Sequence, residues 1–130
     1  VTVSLCQVLV GTDKAANLAT AKSAVSAAVA AGAQLVVLPE CFNCPYTTDA
    51  FPEYAEPIPE PVAAAADAAP GSACATPALC VDAVASPSVA EIAGWAREFG
   101  VYVVAGSIPE RGTDAPMTLP RSTHCPRAHR

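Results

Sequence analysis

A short, continuously apolar run ends on a carboxylate. Leu35, Val36, Val37 and Leu38 follow one another without a polar break, and Pro39 and Glu40 come directly after. A parallel strand covered on both faces uses such a run, whereas a strand with one wet face alternates. Pro39 has no N–H to give to a ladder, so it closes the strand and Glu40 projects from its carboxyl end. In open α/β sheets that edge is where ligands bind. The partners to look for are therefore a nucleophile and a cation able to work beside a partly desolvated Glu.

The flanking sequence supplies the rest of a β-α-β unit. Val1, Val3 and Leu5 alternate with Thr2, Ser4 and Cys6, which predicts a first strand reaching about Val8. Gly11 and Thr12 break it, and Asp13 can cap a helix over about Lys14 to Ala31, with Leu18, Ala21, Val25 and Val29 on one face. Gly32 stops that helix, and the second strand, Gln34 to Leu38, follows so closely that a right-handed parallel crossover is the economical connection. Further on, Ser88-Val89-Ala90-Glu91 reads as a capping box. Val89, Ile92, Trp95, Ala96 and Phe99 then form a buried stripe, Gly100 ends the helix, and Val101 to Ala105 is a third strand of the same sheet. The fold class is α/β, arranged β-α-β and then α-β.

Two segments depart from this patterning. Residues 61–86 are mainly Ala, Pro and small polar residues, and the composition predicts a disordered insertion, because large apolar groups that could offset ordering entropy are missing. Residues 113–130 carry prolines, arginines and both histidines without periodicity, and are expected to be an unstructured tail. The ordered domain is then 1–112, interrupted by the insertion. A chain of 130 residues is one domain at most, and a first residue Val1 rather than Met suggests a processed or cut-out piece.

Charge and cysteine usage narrow the function classes. A net charge of -5 with only two lysines gives no phosphate-binding surface, so no nucleic-acid partner is expected. No apolar stretch approaches the roughly 20 residues that cross a bilayer, and Val1 to Val10 lacks a basic leader, so a cytoplasmic protein with no membrane partner is expected. The six cysteines are read as mostly reduced thiols, and Cys6 as a small core residue. Cys41 and Cys44 form a single C-x-x-C, which invites a zinc or dithiol reading. Cys74 and Cys80 have the wrong spacing to complete a zinc ribbon, and the motif does not open a helix as a thioredoxin-like site would, so no metal is assigned. Lys14 and Lys22 are read as solvated charges on the first helix.

Several ordered blocks resemble the amino-terminal part of the nitrilase, or carbon-nitrogen hydrolase, superfamily. They are Val3 to Gln7, Asn17 with its Ala-rich helix, and the run from Gly32 through Pro39-Glu40-Cys41-Phe42-Asn43-Cys44-Pro45-Tyr46. Phe51 to Pro59 and Val103 to Arg111 are most similar to the omega-amidase branch. The resemblance implies a partial α-β-β-α sandwich and a Glu-Lys-Cys triad that needs neither metal nor organic cofactor. In that chemistry a thiolate attacks an amide carbonyl, Glu moves protons, and Lys with backbone donors steadies the oxyanion. Glu40 falls on the family's base. Phe42 and Tyr46 are candidates to line the pocket of a small amide substrate, with packing the alternative for each.

The chain departs from the family's pattern where the other two triad members belong. No lysine follows Lys22, and Cys125, in Thr123-His124-Cys125-Pro126, does not match the nucleophile's surroundings. Two readings stand: the amino-terminal portion of an omega-amidase-like hydrolase, inactive as this chain, or a non-catalytic remnant or interaction module. In the family a second half of the domain covers the sheet, so Leu35, Val37, Val101 and Val103 are expected to lack cover and to favour a homo-oligomer through the open edge.

Overall fold

The computed structural model describes residues 1–58 and 83–112 in full, together with the backbone of 121–125. The predicted insertion therefore lies outside the described residues except for its last positions. The elements are β1 (Val3–Leu5), α1 (Lys14–Ala30), β2 (Leu35–Val37), α2 (Phe51–Tyr54), α3 (Pro87–Phe99), β3 (Tyr102–Ile108) and β4 (Arg121–Cys125). They build a four-stranded sheet in the order β1-β2-β3-β4, with the first three strands parallel and β4 antiparallel to β3. The expected parallel β-α-β followed by α-β is thus present, in an α/β arrangement.

Helix α1 starts as the sequence predicts, with the Asp13 carboxylate accepting from the Ala16 N–H at 3.1 Å, and Gly32 follows its end at φ +87°. Helix α3 starts differently from the predicted capping box. Pro87 occupies its first turn and Ser86 the cap position without a side-chain capping bond. Ser88 lies inside the helix, and Glu91 accepts from Trp95 Nε1 at 2.9 Å instead of reaching back. The acceptor for the first turn comes from elsewhere in the chain, at Glu56.

Both long helices pack on one face of the sheet. Ala21, Val25 and Ala28 of α1 and Val89, Ile92, Trp95 and Ala96 of α3 join Val36, Val103 and Ala105 in one buried cluster. The opposite face carries Val3, Leu35 and Tyr102 in one cross-strand row and Leu5, Val37 and Val104 in the next. None of these six is buried, and Leu5 is 79% exposed. This corrects the expectation for Val101 and Val103, which are buried. The register pairs Leu35 with Tyr102 and Val37 with Val104, so the odd residues of β3 turn towards the helices.

The tail also differs from expectation, since Arg121–Cys125 forms β4 against β3. An edge strand offers unpaired backbone donors and acceptors, and pairing through them needs no side-chain periodicity. Among the described residues no helix is long and apolar enough to cross a membrane.

One close approach fixes how β2 ends. Gly106 sits at φ +64° in the irregular stretch of β3 between Val104 and Ser107. A Cβ there would lie 2.5 Å from the Pro39 carbonyl carbon and closer still to its oxygen. Only glycine lets the β3 backbone rest on the peptide just before Glu40. The Gly106→Ala variant is therefore expected to lose at least about 1–3 kcal/mol, from a left-handed alanine and the clash together. Urea unfolding measures this, and an unchanged midpoint contradicts it.

Candidate functional site

Glu40 stands where the sheet predicts it, past the carboxyl end of β2. Its backbone bridges Ser107 of β3 in the parallel sense. The next residue, Cys41, donates its N–H to the Ser107 carbonyl at 2.8 Å and holds φ +49°, a left-handed conformation that a side chain makes costly. Glu40 is thus fixed between two left-handed residues, Cys41 beside it and Gly106 across the ladder. Its carboxylate is exposed rather than partly desolvated.

Tyr46 returns to Glu40 after one turn of chain, and its hydroxyl donates to Glu40 Oε2 at 3.2 Å. The tyrosine is exposed, with its ring edge-on to Phe51. The hydrogen bond to the Glu40 carboxylate, and then that group's negative charge, raise the Tyr46 phenol above its ordinary range. Phe42 goes elsewhere. It is completely buried in the main core cluster, so of the two roles open to it the structure shows the packing one.

The described cysteines are free thiols. Cys41 and Cys44 are buried in a small cluster with Tyr54, and Cys6 is half-buried against the main core. Burial raises Cys41, and burial pushes Cys44 up to about 12. A nucleophile or metal ligand must be a thiolate, so both are protonated and shielded at neutral pH. Among the described residues no three His, Cys, Asp or Glu side chains come together in a group that could hold a metal ion.

Both lysines are engaged away from Glu40. Lys22 pairs with Glu98 on the surface, at 3.2 Å. Lys14 is not the solvated charge expected from its helix position. It is half-buried, meets Glu56 Oε1 at 2.9 Å, donates to the Tyr54 carbonyl, and lies 5.7 Å from the centre of the Tyr54 ring. Glu56 itself is 2% exposed and also accepts from the Ser88 N–H at 2.9 Å and the Ser88 hydroxyl at 2.7 Å. A buried carboxylate thus faces the first turn of α3, where the helix dipole favours negative charge. Little in the local sequence marks this role, since Glu56 lies between Ala55 and Pro57 outside any periodic stretch. The one available signal was the Ser-Val-Ala-Glu motif, which placed a helix start needing an acceptor.

A strand-end carboxylate carrying a phenol, on a frame of buried polar bonds, suits proton transfer to a small substrate at the sheet edge. Residues 2–124 match the model of the carbon-nitrogen hydrolase family. The chain belongs to that family. It is 38% identical over 112 residues to the chloroplastic omega-amidase of Arabidopsis thaliana, covering 86% of this chain and 25% of the relative. It is also 38% identical to omega-amidase NIT2 of Xenopus tropicalis, covering 82% of this chain and 29% of that one. Among solved structures it is similar to Nit3 of Saccharomyces cerevisiae, a member of branch 10 of the nitrilase superfamily. That match has a TM-score of 0.56 at 33% identity and covers 77% of this chain and 30% of Nit3. The chain therefore spans about a quarter to a third of the length of these carbon-nitrogen hydrolase relatives.

The thiol geometry makes a prediction of its own. At pH 8, iodoacetamide is expected to leave Cys41 and Cys44 unmodified in the native chain and to alkylate both in urea. Peptide mass mapping checks this, and native labelling at the unfolded rate contradicts the burial.

Proposed function

We propose that the chain is the amino-terminal portion of an omega-amidase-like hydrolase in which Glu40 is the general base. The parent reaction is hydrolysis of the terminal amide of a small dicarboxylate monoamide, with water consumed and ammonia released. Glu40 takes the proton from a Cys thiol as its sulfur bonds to the amide carbon. It then gives a proton to the departing ammonia and activates the water that cleaves the thioester. The observation that carries this reading is Glu40 itself, set at the carboxyl end of a parallel strand, with one oxygen held by Tyr46 and Oε1 left to accept a proton. Tyr46 also borders the site of the small amide. No metal or organic cofactor enters this scheme, and no nucleic-acid partner is assigned.

Lys and the nucleophilic Cys have no counterparts here in the family's positions, and Cys41 and Cys44 are protonated and buried. The chain alone is therefore inactive in this reading. The same observations support a second reading, a non-catalytic module of cytoplasmic location that self-associates through the bare rows of Val3, Leu5, Leu35, Val37, Tyr102 and Val104.

A chimera separates the two. Residues 1–112 of this chain replace the matching segment of the Xenopus tropicalis omega-amidase, and ammonia release is measured on a dicarboxylate monoamide. The expected result is turnover that falls by about 10²–10⁴-fold in Glu40→Gln, the usual contribution of a positioned acid-base group. A folded chimera with no turnover, or one indifferent to Glu40→Gln, contradicts the base assignment. Turnover by the 130-residue chain alone, dependent on Cys41, Cys44 or Cys125, overturns its inactivity.

A further inference from the structure

The turn between Glu40 and Tyr46 is pinned from outside by side chains that the proposed chemistry does not use. Asn43, in the middle of that turn, has no exposed surface (0%). Its Nδ2 donates to Ser88 Oγ at 3.1 Å, and its backbone carbonyl accepts from Asn17 Nδ2 at 3.2 Å. Asn17 also closes a two-bond clamp on Gly11, donating to its carbonyl and accepting from its N–H, each at 2.8 Å. The turn is thereby tied to α3 through Ser88 and to α1 through Asn17.

The direction of the Asn43 amide is fixed by proton counting. Ser88 Oγ has one hydrogen, which goes to Glu56 Oε1 at 2.7 Å, so towards Asn43 it can only accept. Nδ2 must face Ser88, and Asn43 Oδ1 is left buried without a hydrogen-bond partner among the described residues. A buried oxygen in that state is unfavourable, so the arrangement is held against a local penalty. What it holds is the course of the chain into Pro45 and Tyr46. Tyr46 is 75% exposed, and beyond the edge-on contact of its ring with Phe51 its place follows the turn.

We infer that Asn43 is a positioning residue: clamped between Ser88 and Asn17, it sets the turn that brings the Tyr46 hydroxyl onto the Glu40 carboxylate. The inference rests on the reading of Glu40 as the base. An exposed carboxylate samples several rotamers, and a donor held on Oε2 selects the one that leaves Oε1 free. Asn43 touches no reacting atom, and its effect passes through Tyr46.

The test uses the whole chain with 13C at the tyrosine ζ carbons, and Tyr46→Phe assigns the Tyr46 signal. That signal is followed as the pH is lowered. In the wild type it is expected to show a step as Glu40 takes up a proton, and Glu40→Gln should remove the step. The pair Asn43→Ala with Ser88→Ala deletes both partners of one buried bond, and although it also removes the Ser88 hydroxyl's bond to Glu56, Lys14 and the Ser88 N–H remain on that carboxylate. Ser88→Ala alone keeps a good helix former in α3. With Trp95 fluorescence unchanged in each, the step should lose most of its amplitude in both. A step that Glu40→Gln removes but both variants keep overturns the role of Asn43 alone. A step that survives Glu40→Gln overturns the Glu40–Tyr46 contact, and this inference with it, while leaving the chimera to decide the base assignment.

Discussion

The Glu56 carboxylate accepts from Lys14 of α1 and from the N–H and hydroxyl of Ser88 in α3 while almost wholly removed from water, and its backbone pairs with the segment just after β3. Few single groups touch so many elements. Its N–H donates to the Pro109 carbonyl at 3.1 Å, and its own carbonyl accepts from the Arg111 N–H at 2.9 Å. A carboxylate taken out of water is tolerable only when its lone pairs are filled, and here a cation and two donors at a helix start fill them. The starts of both helices and the segment after β3 are thereby held in one frame beside the edge where Glu40 emerges.

Steric constraint supplies what the charge network does not. Gly106 lets β3 lie against the Pro39 peptide, and Cys41 turns the chain immediately after Glu40. The direction of Glu40 thus follows from backbone contacts, while that of its neighbour Tyr46 depends on polar side chains between helices. The two kinds of constraint meet at a carboxylate that remains open to solvent in this portion of the family's fold.

Much of this was legible in the sequence, for reasons that differ by element. Asp13, Gly32 and the apolar spacing of α1 are local signals, and the structure keeps the helix within a residue of its expected bounds. The unbroken Leu35 to Leu38 run announced a parallel strand, and Pro39-Glu40 its end. Which face of β3 meets the helices was not legible, because Val101 to Ala105 is apolar on both sides and only the pairing register decides. Strand β4 pairs through backbone atoms, which leave no periodic trace. Lys14 looked like a surface charge because its partner Glu56 lies about forty residues away in the chain. The short helix α2 has one turn and no amphipathic period to read.

The central claim is that this buried carboxylate holds the frame around Glu40, and the most direct measurement of it is the urea unfolding free energy of Glu56→Leu. Removing the acceptor strands a half-buried ammonium and the first donors of α3, so a loss of about 3 kcal/mol or more is expected. Lys22→Ala, which breaks only the exposed pair with Glu98, should cost about 1 kcal/mol or less. A Glu56→Leu chain as stable as the Lys22→Ala chain contradicts the claim.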